Sequence, residues 1–531
     1  MEQHGECQGL FTGELHNEKF LESAHADKVN EKDNKKWSPL LILAAASTTL
    51  GLYLPVGYNI GVVNSPADII KAYCNASIAI RYDSILTKGE LRFLWSAIVS
   101  TFLVGGTIGS LSGSWLADYL GRKGATVVAA GLSLVAAVFF LLTDFIVSVE
   151  VLFVGRLLVG LSAGLTTCVA PMYLIELAPL YLRGAMGVFC QLGITFGVLV
   201  AQIMSLTQIL GTEKLWPYLL SCYGILVVLF LLIVTVLPES PKYLLFINKR
   251  QEAIKQLGRI RNQSEVAIER ELIEIETTMQ SSSVDVKENW SVIRVLTDKT
   301  LLLPLILVCS MQGGQQFSGI NAVFYYSGLI FKAAGLSEQN SQYATIGAGV
   351  VNLLMSFVSI EIMSRFKRRG VMQLSCLTSI IWLLVLTLST FYLDAFSWVP
   401  YICIVAVLAY VLCYGIGLGP IPFFIGSELF EVGPRPSAMA LGSMSNWAGN
   451  FVVGLTFPIM QDDIGAMSFV IFAVFILMVL LLVRFYLPET KGRDPSEIAL
   501  LCNKGLRSRV LDSPVNSTTT AETVPIADLK V

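Results

Sequence analysis

Charge is scarce in this 531-residue chain. Asp, Glu, Lys and Arg together make up 14% of it, while hydrophobic residues make up 54%. Soluble domains carry about 25% charged residues, so a soluble globular protein is excluded. Histidine is scarcer still: His4, His16 and His25 all lie in the polar N-terminal stretch. That leaves no imidazole at membrane depth for acid–base or metal chemistry. There is no Walker-type phosphate loop and no clustered Cys/His spacing, so no enzyme, ATP-driven pump, metal or cofactor is expected. Of the ten cysteines only Cys74 falls in an expected outer loop, which implies no disulfide framework. A net charge of −2 offers no basic face to nucleic acid. The first 36 residues lack the apolar core of a signal peptide, so no cleaved leader is expected.

Long hydrophobic runs are abundant. Twelve are long enough to cross a bilayer, near 39–63, 92–113, 124–145, 151–173, 184–207, 216–237, 301–331, 343–363, 371–392, 399–426, 437–460 and 466–487, each about the 20 residues a spanning helix needs. Lysine and arginine concentrate before the first run, at Arg122 and Lys123, at Arg183, across 238–300, at 365–369, at Arg435 and at Lys491 with Arg493. The positive-inside rule puts these segments and both termini in the cytoplasm. The first outer loop carries the sequon Asn75-Ala76-Ser77, a glycosylation acceptor only if it faces outside. The sequons at Asn262 and Asn516 fall on the inner side and should stay unused.

The chain repeats itself. Glu176 with Arg183 recurs as Glu428 with Arg435, Glu239 as Glu489, and Arg122 as Arg368, at offsets of 252, 250 and 246 positions. Parallel six-helix repeats with a site between them are a transporter architecture. The expected fold is therefore all-α, with twelve transmembrane helices in two pseudo-symmetric six-helix bundles. The expected parts are a tail at 1–38, bundles at 39–237 and 301–487, a cytosolic helical segment at 238–300 and a largely disordered tail at 488–531. Within the central segment, 249–260 and 265–279 have helical spacing of apolar residues.

The stretch 313–326 is the least lipid-like part of any run, with Gln315, Gln316, Asn321, Tyr325, Tyr326 and three glycines. Amides in hydrocarbon need partners or a wet cavity. On an ideal helix Gln315 and Asn321 sit about 120° apart; they can face one ligand only if the helix is distorted between them, where Gly319 lies. Glycine-interrupted membrane helices are where transporters place substrate. The tenth run, with Gly415, Gly417, Gly419, Pro420 and Pro422, should bend as well.

These residues resemble a known family. Gly57-Tyr58-Asn59 with Asn64-Ser65-Pro66, Gly113 through Asp118 to Gly121-Arg122-Lys123, Pro238-Glu239-Ser240-Pro241-Lys242-Tyr243, the 313–326 stretch and Pro488-Glu489-Thr490-Lys491-Gly492-Arg493 are similar to the animal facilitative hexose transporters. That family is the sugar-porter branch of the major facilitator superfamily, and the resemblance covers most of 51–500. It implies sugar contacts from Gln191, Gln315, Gln316, Asn321, Asn352 and Asn446, with Trp447 as a pocket wall. Amides that donate and accept suit a ligand made of hydroxyls. It implies gating at Tyr325, Tyr326, Gly419, Pro420 and Pro422. On the inner face Asp118, Arg122, Glu176, Arg183, Glu239, Glu428, Arg435 and Glu489 would form a salt-bridge network closing the gap between the halves. The family's usual glutamate ahead of the tenth-span bend is Gly415 here, its tryptophan is Phe423, and Ser364 and Lys367 replace its usual glutamate and glycine. The resemblance also implies passive uniport of a hexose, D-glucose before fructose, across the plasma membrane. A proton-coupled symporter would have Asp where Asn59 stands, and a non-transporting sensor would add a long signalling tail.

Overall fold

The computed structural model describes residues 37–63, 66–262, 264–280, 290–323, 337–393 and 395–502. Backbone polar groups at membrane depth have no water to bond, so apolar runs become helices. Among the described residues there are helices, turns and loops and no strand. Ten helices among the described residues are long and apolar enough to cross a bilayer, from Pro39–Gly61 to Gly465–Tyr486. The eleventh run is a 30-residue helix, Arg435–Ile464. It is long enough to span, but Asn446, Asn450 and its serines make it too polar to stand among the ten.

The seventh run is the exception that the polar stretch demands. Helix Leu302–Phe317 stops at a Ser318–Gly319 turn and helix resumes at Ile320. Gly319 has φ +75°, and a Cβ there would meet the Phe472 ring at 2.2 Å; only glycine suits such a position. Residues 324–336, including the expected gating residues Tyr325 and Tyr326, lie outside the described residues, as do 1–36 and 503–531; the first part of the tail expected to be largely disordered, 488–502, is described and ends in helix Pro495–Cys502. The tenth run also breaks where expected. Helix Val399–Ile416 gives way at Gly417–Pro420 to helix Ile421–Leu429. Pro420 and Pro422 sit at the start of the second piece, where a missing N–H costs little.

Three features differ from the sequence reading. The first span contains a π-helical turn, Thr49–Tyr53. The sixth is interrupted between Trp216–Ser221 and Gly224–Ile233. The first outer loop holds a helix, Ala67–Tyr82, strapped down by Tyr73 Oη donating to Thr143 O at 2.6 Å and Ser77 Oγ donating to Val147 O at 2.9 Å. The central segment forms helices Arg250–Arg261 and Glu265–Gln280, packed through Ala253, Leu257, Ile268 and Leu272. Arg261 fastens them: it pairs with Glu271 at 2.9 Å and donates to Leu177 O.

Two large apolar clusters form, one mainly from the first six spans and one mainly from the last six. They meet where the second span packs on the eleventh and the fifth on the eighth. Hydroxyl pairs stitch both seams, Ser110 with Ser443 at 2.8 Å and Thr195 with Ser356 at 3.1 Å.

Candidate functional site

The broken seventh helix brings its amides to the eleventh. Gln315 and Gln316 are consecutive on helix Leu302–Phe317, and Asn321 follows the Gly319 turn, which re-aims it toward them. The bonds form a chain. Gln315 Nε2 donates to Gly419 O at 2.6 Å, and Asn446 Nδ2 donates to Gln315 Oε1 at 2.6 Å. Gln316 Nε2 donates to Asn446 Oδ1 at 3.1 Å, and Asn321 Nδ2 donates to Gln316 Oε1 at 3.2 Å and to Asn450 Oδ1 at 3.4 Å. Four of the expected sugar contacts are thus one network at mid-span, with Asn450 as a fifth member. Such amides can exchange one partner for another at small net cost, about 0.5–1.5 kcal/mol per bond, and a polyhydroxylated ligand is able to replace them.

Gln191 approaches from the other half. It is buried, its amide has no hydrogen-bond partner among the described residues, and its Cδ and Nε2 lie 3.4 Å from where a Cβ on Gly419 would stand. Gly419 is therefore where Gln191 and Gln315 converge from opposite halves. Asn352 is buried on the eighth span with its Oδ1 unpartnered among the described residues, beside Gly415. Trp447 is turned away from the amides. It packs edge-on to Phe102, 5.3 Å between centroids, and its Nε1 donates to Thr167 at 3.0 Å, so its visible role is to join the halves. Gln312, one turn before Gln315, donates to Pro422 O at 2.9 Å. The two glutamines thereby brace both sides of the tenth-span break. That brace was not legible in the sequence, where nothing local ties Gln312 to the tenth run.

Replacing Gln191, Gln315 or Asn446 by leucine should weaken sugar binding by up to about tenfold per lost bond, with folded protein retained. Equilibrium binding of labelled sugar at matched expression measures this, and wild-type binding in all three variants removes the site assignment.

At the end that the Lys/Arg distribution assigns to the cytoplasm, each half builds the same device. In the first, Glu176 holds Arg122 at 3.0 Å and accepts from Ser240 Oγ at 2.5 Å, while Glu239 accepts the backbone N–H of Arg122 and Lys123. Burial pushes the Glu239 carboxyl up, against those hydrogen bonds. Asp118 stands 3.7 Å from Arg122. In the second, Glu428 pairs with Arg368 at 3.3 Å and accepts from Thr490 Oγ1 at 2.5 Å, and Glu489 accepts the N–H of Arg368 and Arg369. Ser364 stands at the position of Asp118, so Arg368 lacks that second carboxylate. Among the described residues two ion pairs cross between halves: Arg435 to Glu176 at 3.1 Å and Arg183 to Asp494 at 3.6 Å. Glu428 and Glu489, expected to help close the gap, serve their own half instead. The sequence reading missed Arg368, Asp494, Ser240 and Thr490, although the 246-position repeat marks Arg368 as the mate of Arg122.

Near the outer half of the first span, Asn59 Nδ2 donates to Pro55 O at 2.9 Å, Arg156 donates to Asn59 O at 3.1 Å, and the Arg156 guanidinium lies 4.6 Å over the Phe102 ring. Asn75 lies on the outer helix. Its Oδ1 accepts from Leu86 N at 3.2 Å, and its Nδ2 has no partner among the described residues.

Residues 44–501 match the family described as Sugar (and other) transporter. The chain is 40% identical to mouse solute carrier family 2, facilitated glucose transporter member 3, over 87% of this chain and 93% of that protein. It is 39% identical to horse member 5 over 88% and 93%, and 36% identical to chicken member 1 over 91% and 97%. Among solved structures, the proton:xylose symporter XylE bound to 6-bromo-6-deoxy-D-glucose superposes with a TM-score of 0.77 at 24% identity, covering 88% of this chain and all of that one. At that identity the likeness concerns the fold, two six-helix halves of the major facilitator type.

Proposed function

The chain belongs to the sugar transporter family, among the facilitated glucose transporters of solute carrier family 2, and on that footing we propose that it equilibrates D-glucose across the plasma membrane by alternating access. It is a membrane carrier and not an enzyme. The observation that carries the reading is the mid-span amide network, Gln315–Asn446–Gln316–Asn321, facing across the seam a Gln191 whose amide has no partner among the described residues. It offers both donors and acceptors and no net charge, as a neutral polyol requires. Transport needs release as well as binding, and millimolar affinity, about −4 kcal/mol, serves both.

Fructose is the second reading, because Gln312-Gly313-Gly314 half-resembles fructose-type members. Packing accounts for part of that triplet here: a Cβ on Gly314 would meet Val479 at 2.4 Å, and Gln312 is spent on the Pro422 carbonyl. Uptake of labelled glucose into vesicles holding the purified protein should be saturable and reduced more by excess galactose or glucose than by excess fructose. Uptake of fructose without glucose would reverse the choice of substrate.

The placement of both termini inside, supported by the Lys/Arg distribution, puts Asn75 outside. A glycan on its free Nδ2 leaves Oδ1 on Leu86, so modification and fold are compatible. Glycosidase treatment should shift the electrophoretic mobility of protein from cells, and Asn75→Gln should abolish the shift; an unshifted band counts against both the site and the topology.

A further inference from the structure

Beneath the inner ion pairs lies a cavity of about 230 Å³ between the two halves and the central helical segment. Most charges around it are already matched. Arg435 is held by Glu176 and by Phe430 O, and Arg261 by Glu271 and Leu177 O. Asp494 is reached by Arg183, at 3.6 Å. Lys242, which also lines the cavity, makes no ion pair or hydrogen bond among the described residues.

We propose that this cavity is a regulatory site for a small oxyanion, such as inorganic phosphate or the phosphate end of a small phosphate ester, which clasps the halves while the inner face is closed. Lys242 and Arg183 belong to the first half and Arg435 to the second, so an anion touching all three bridges the seam. A ligand that can bind only when both sides are present shifts the population toward the closed arrangement. The cavity is smaller than the roughly 300–1,000 Å³ that encloses drug-sized ligands, which favours a phosphate-sized anion over a nucleotide. The inference goes beyond sugar transport and does not depend on which sugar is carried.

The surroundings of Lys242 give the site a signature. Burial first, then the neighbouring guanidiniums of Arg183 and Arg435, hold its ammonium well below the ordinary lysine range; Glu176 and Asp494 act in the opposite sense but are committed to the arginines. Glu274 and Glu431 face the same space from the central segment and the second half. An anion stabilises the protonated lysine, so binding takes up a proton and should tighten as pH falls. Sulfate does not titrate in this range and isolates the lysine's contribution.

The test uses full-length protein in phosphatidylcholine nanodiscs, with thermal unfolding followed in sodium sulfate or phosphate against sodium chloride at equal ionic strength. Sulfate and phosphate should raise the midpoint beyond chloride, and for sulfate more so at lower pH. Lys242→Gln should raise the half-effective sulfate concentration about tenfold or more, the worth of one charge-assisted contact. Lys242→Arg, always charged, should keep binding and lose its pH dependence. Equal responses in wild type and Lys242→Gln would overturn the assignment. So would stabilisation that appears only when phosphatidic acid is built into the bilayer, which would identify a lipid headgroup instead. In sided vesicles, inner-face sulfate should slow sugar exchange severalfold and outer-face sulfate should not; equal slowing from both faces would refute the location.

Discussion

Replacing Glu176 by glutamine should move the carrier from the inner-closed toward the inner-open arrangement, by about tenfold or more in population. Glu176 is fully buried and serves two arginines, Arg122 in its own half and Arg435 in the other. Removing one partner of a buried ion pair costs about 3–5 kcal/mol because the remaining charge is stranded. The Arg122 share of that cost is common to both arrangements, since both groups ride in one half, and it cancels from the gating equilibrium. The Arg435 share does not cancel. When the halves part, Arg435 regains water, so its loss destabilises only the closed state, and a charge-assisted bond is worth about 1.5–3 kcal/mol.

The same argument ranks the other variants. Arg435→Gln should act in the same direction, and the double variant should fall short of the sum, because both remove one interaction. Glu428→Gln should gate weakly, since its partners Arg368 and Thr490 belong to its own half. Arg183→Ala loses only a partly exposed pair at 3.6 Å, which is worth about 0–1 kcal/mol. The measurement is protection by an inhibitor that enters only from outside against one that enters only from inside. If Glu428→Gln shifted access as much as Glu176→Gln, the closed-state assignment of the pairs would be wrong.

The ranking could not have come from the sequence, and the reason is physical. The duplicated Glu/Arg motifs read as symmetric, which implies two equivalent crossings. Asymmetry enters through a residue outside the repeat: at the 250-position offset that relates Glu239 to Glu489, Asp494 corresponds to Leu244. Arg183 therefore has a carboxylate option that Arg435 lacks. Helices at membrane depth were legible because hydrocarbon leaves the backbone no other choice. The breaks at Gly319 and at Gly417–Pro420 were legible because glycine and proline state their backbone preferences locally. The direction of Trp447 was not, since which face of the eleventh helix meets the second is a tertiary fact. Nor was helix Ala67–Tyr82, whose apolar positions are interleaved with Lys71, Asn75 and Arg81 and whose anchors are backbone carbonyls distant in sequence.

An imposed inward pH gradient should drive no accumulation of sugar in proteoliposomes of this protein. A gradient of two units stores about 2.7 kcal/mol per proton, enough for about a hundredfold accumulation if one proton moved with each sugar. To use it, a carrier must protonate a buried group on one side and release the proton on the other. The place for such a group is beside Arg156, and it holds Asn59, whose Nδ2 is committed to Pro55 O and whose backbone O receives the arginine. Among the described residues the remaining carboxylates in the spans lie toward the ends: Glu176 and Glu428 are held by the inner arginines, and Glu361 is exposed and paired with Arg365. Glu361 is thereby excluded from a buried proton cycle. Asn59→Asp should make exchange pH-dependent, because a carboxylate placed there faces Arg156 and its protonation would then decide whether that cation is neutralised. Uphill accumulation by the wild-type protein that collapses with a protonophore would overturn the uniport reading. A pH-independent Asn59→Asp variant would show instead that Arg156 is a structural cation braced on Phe102, with no remaining link to the transport cycle.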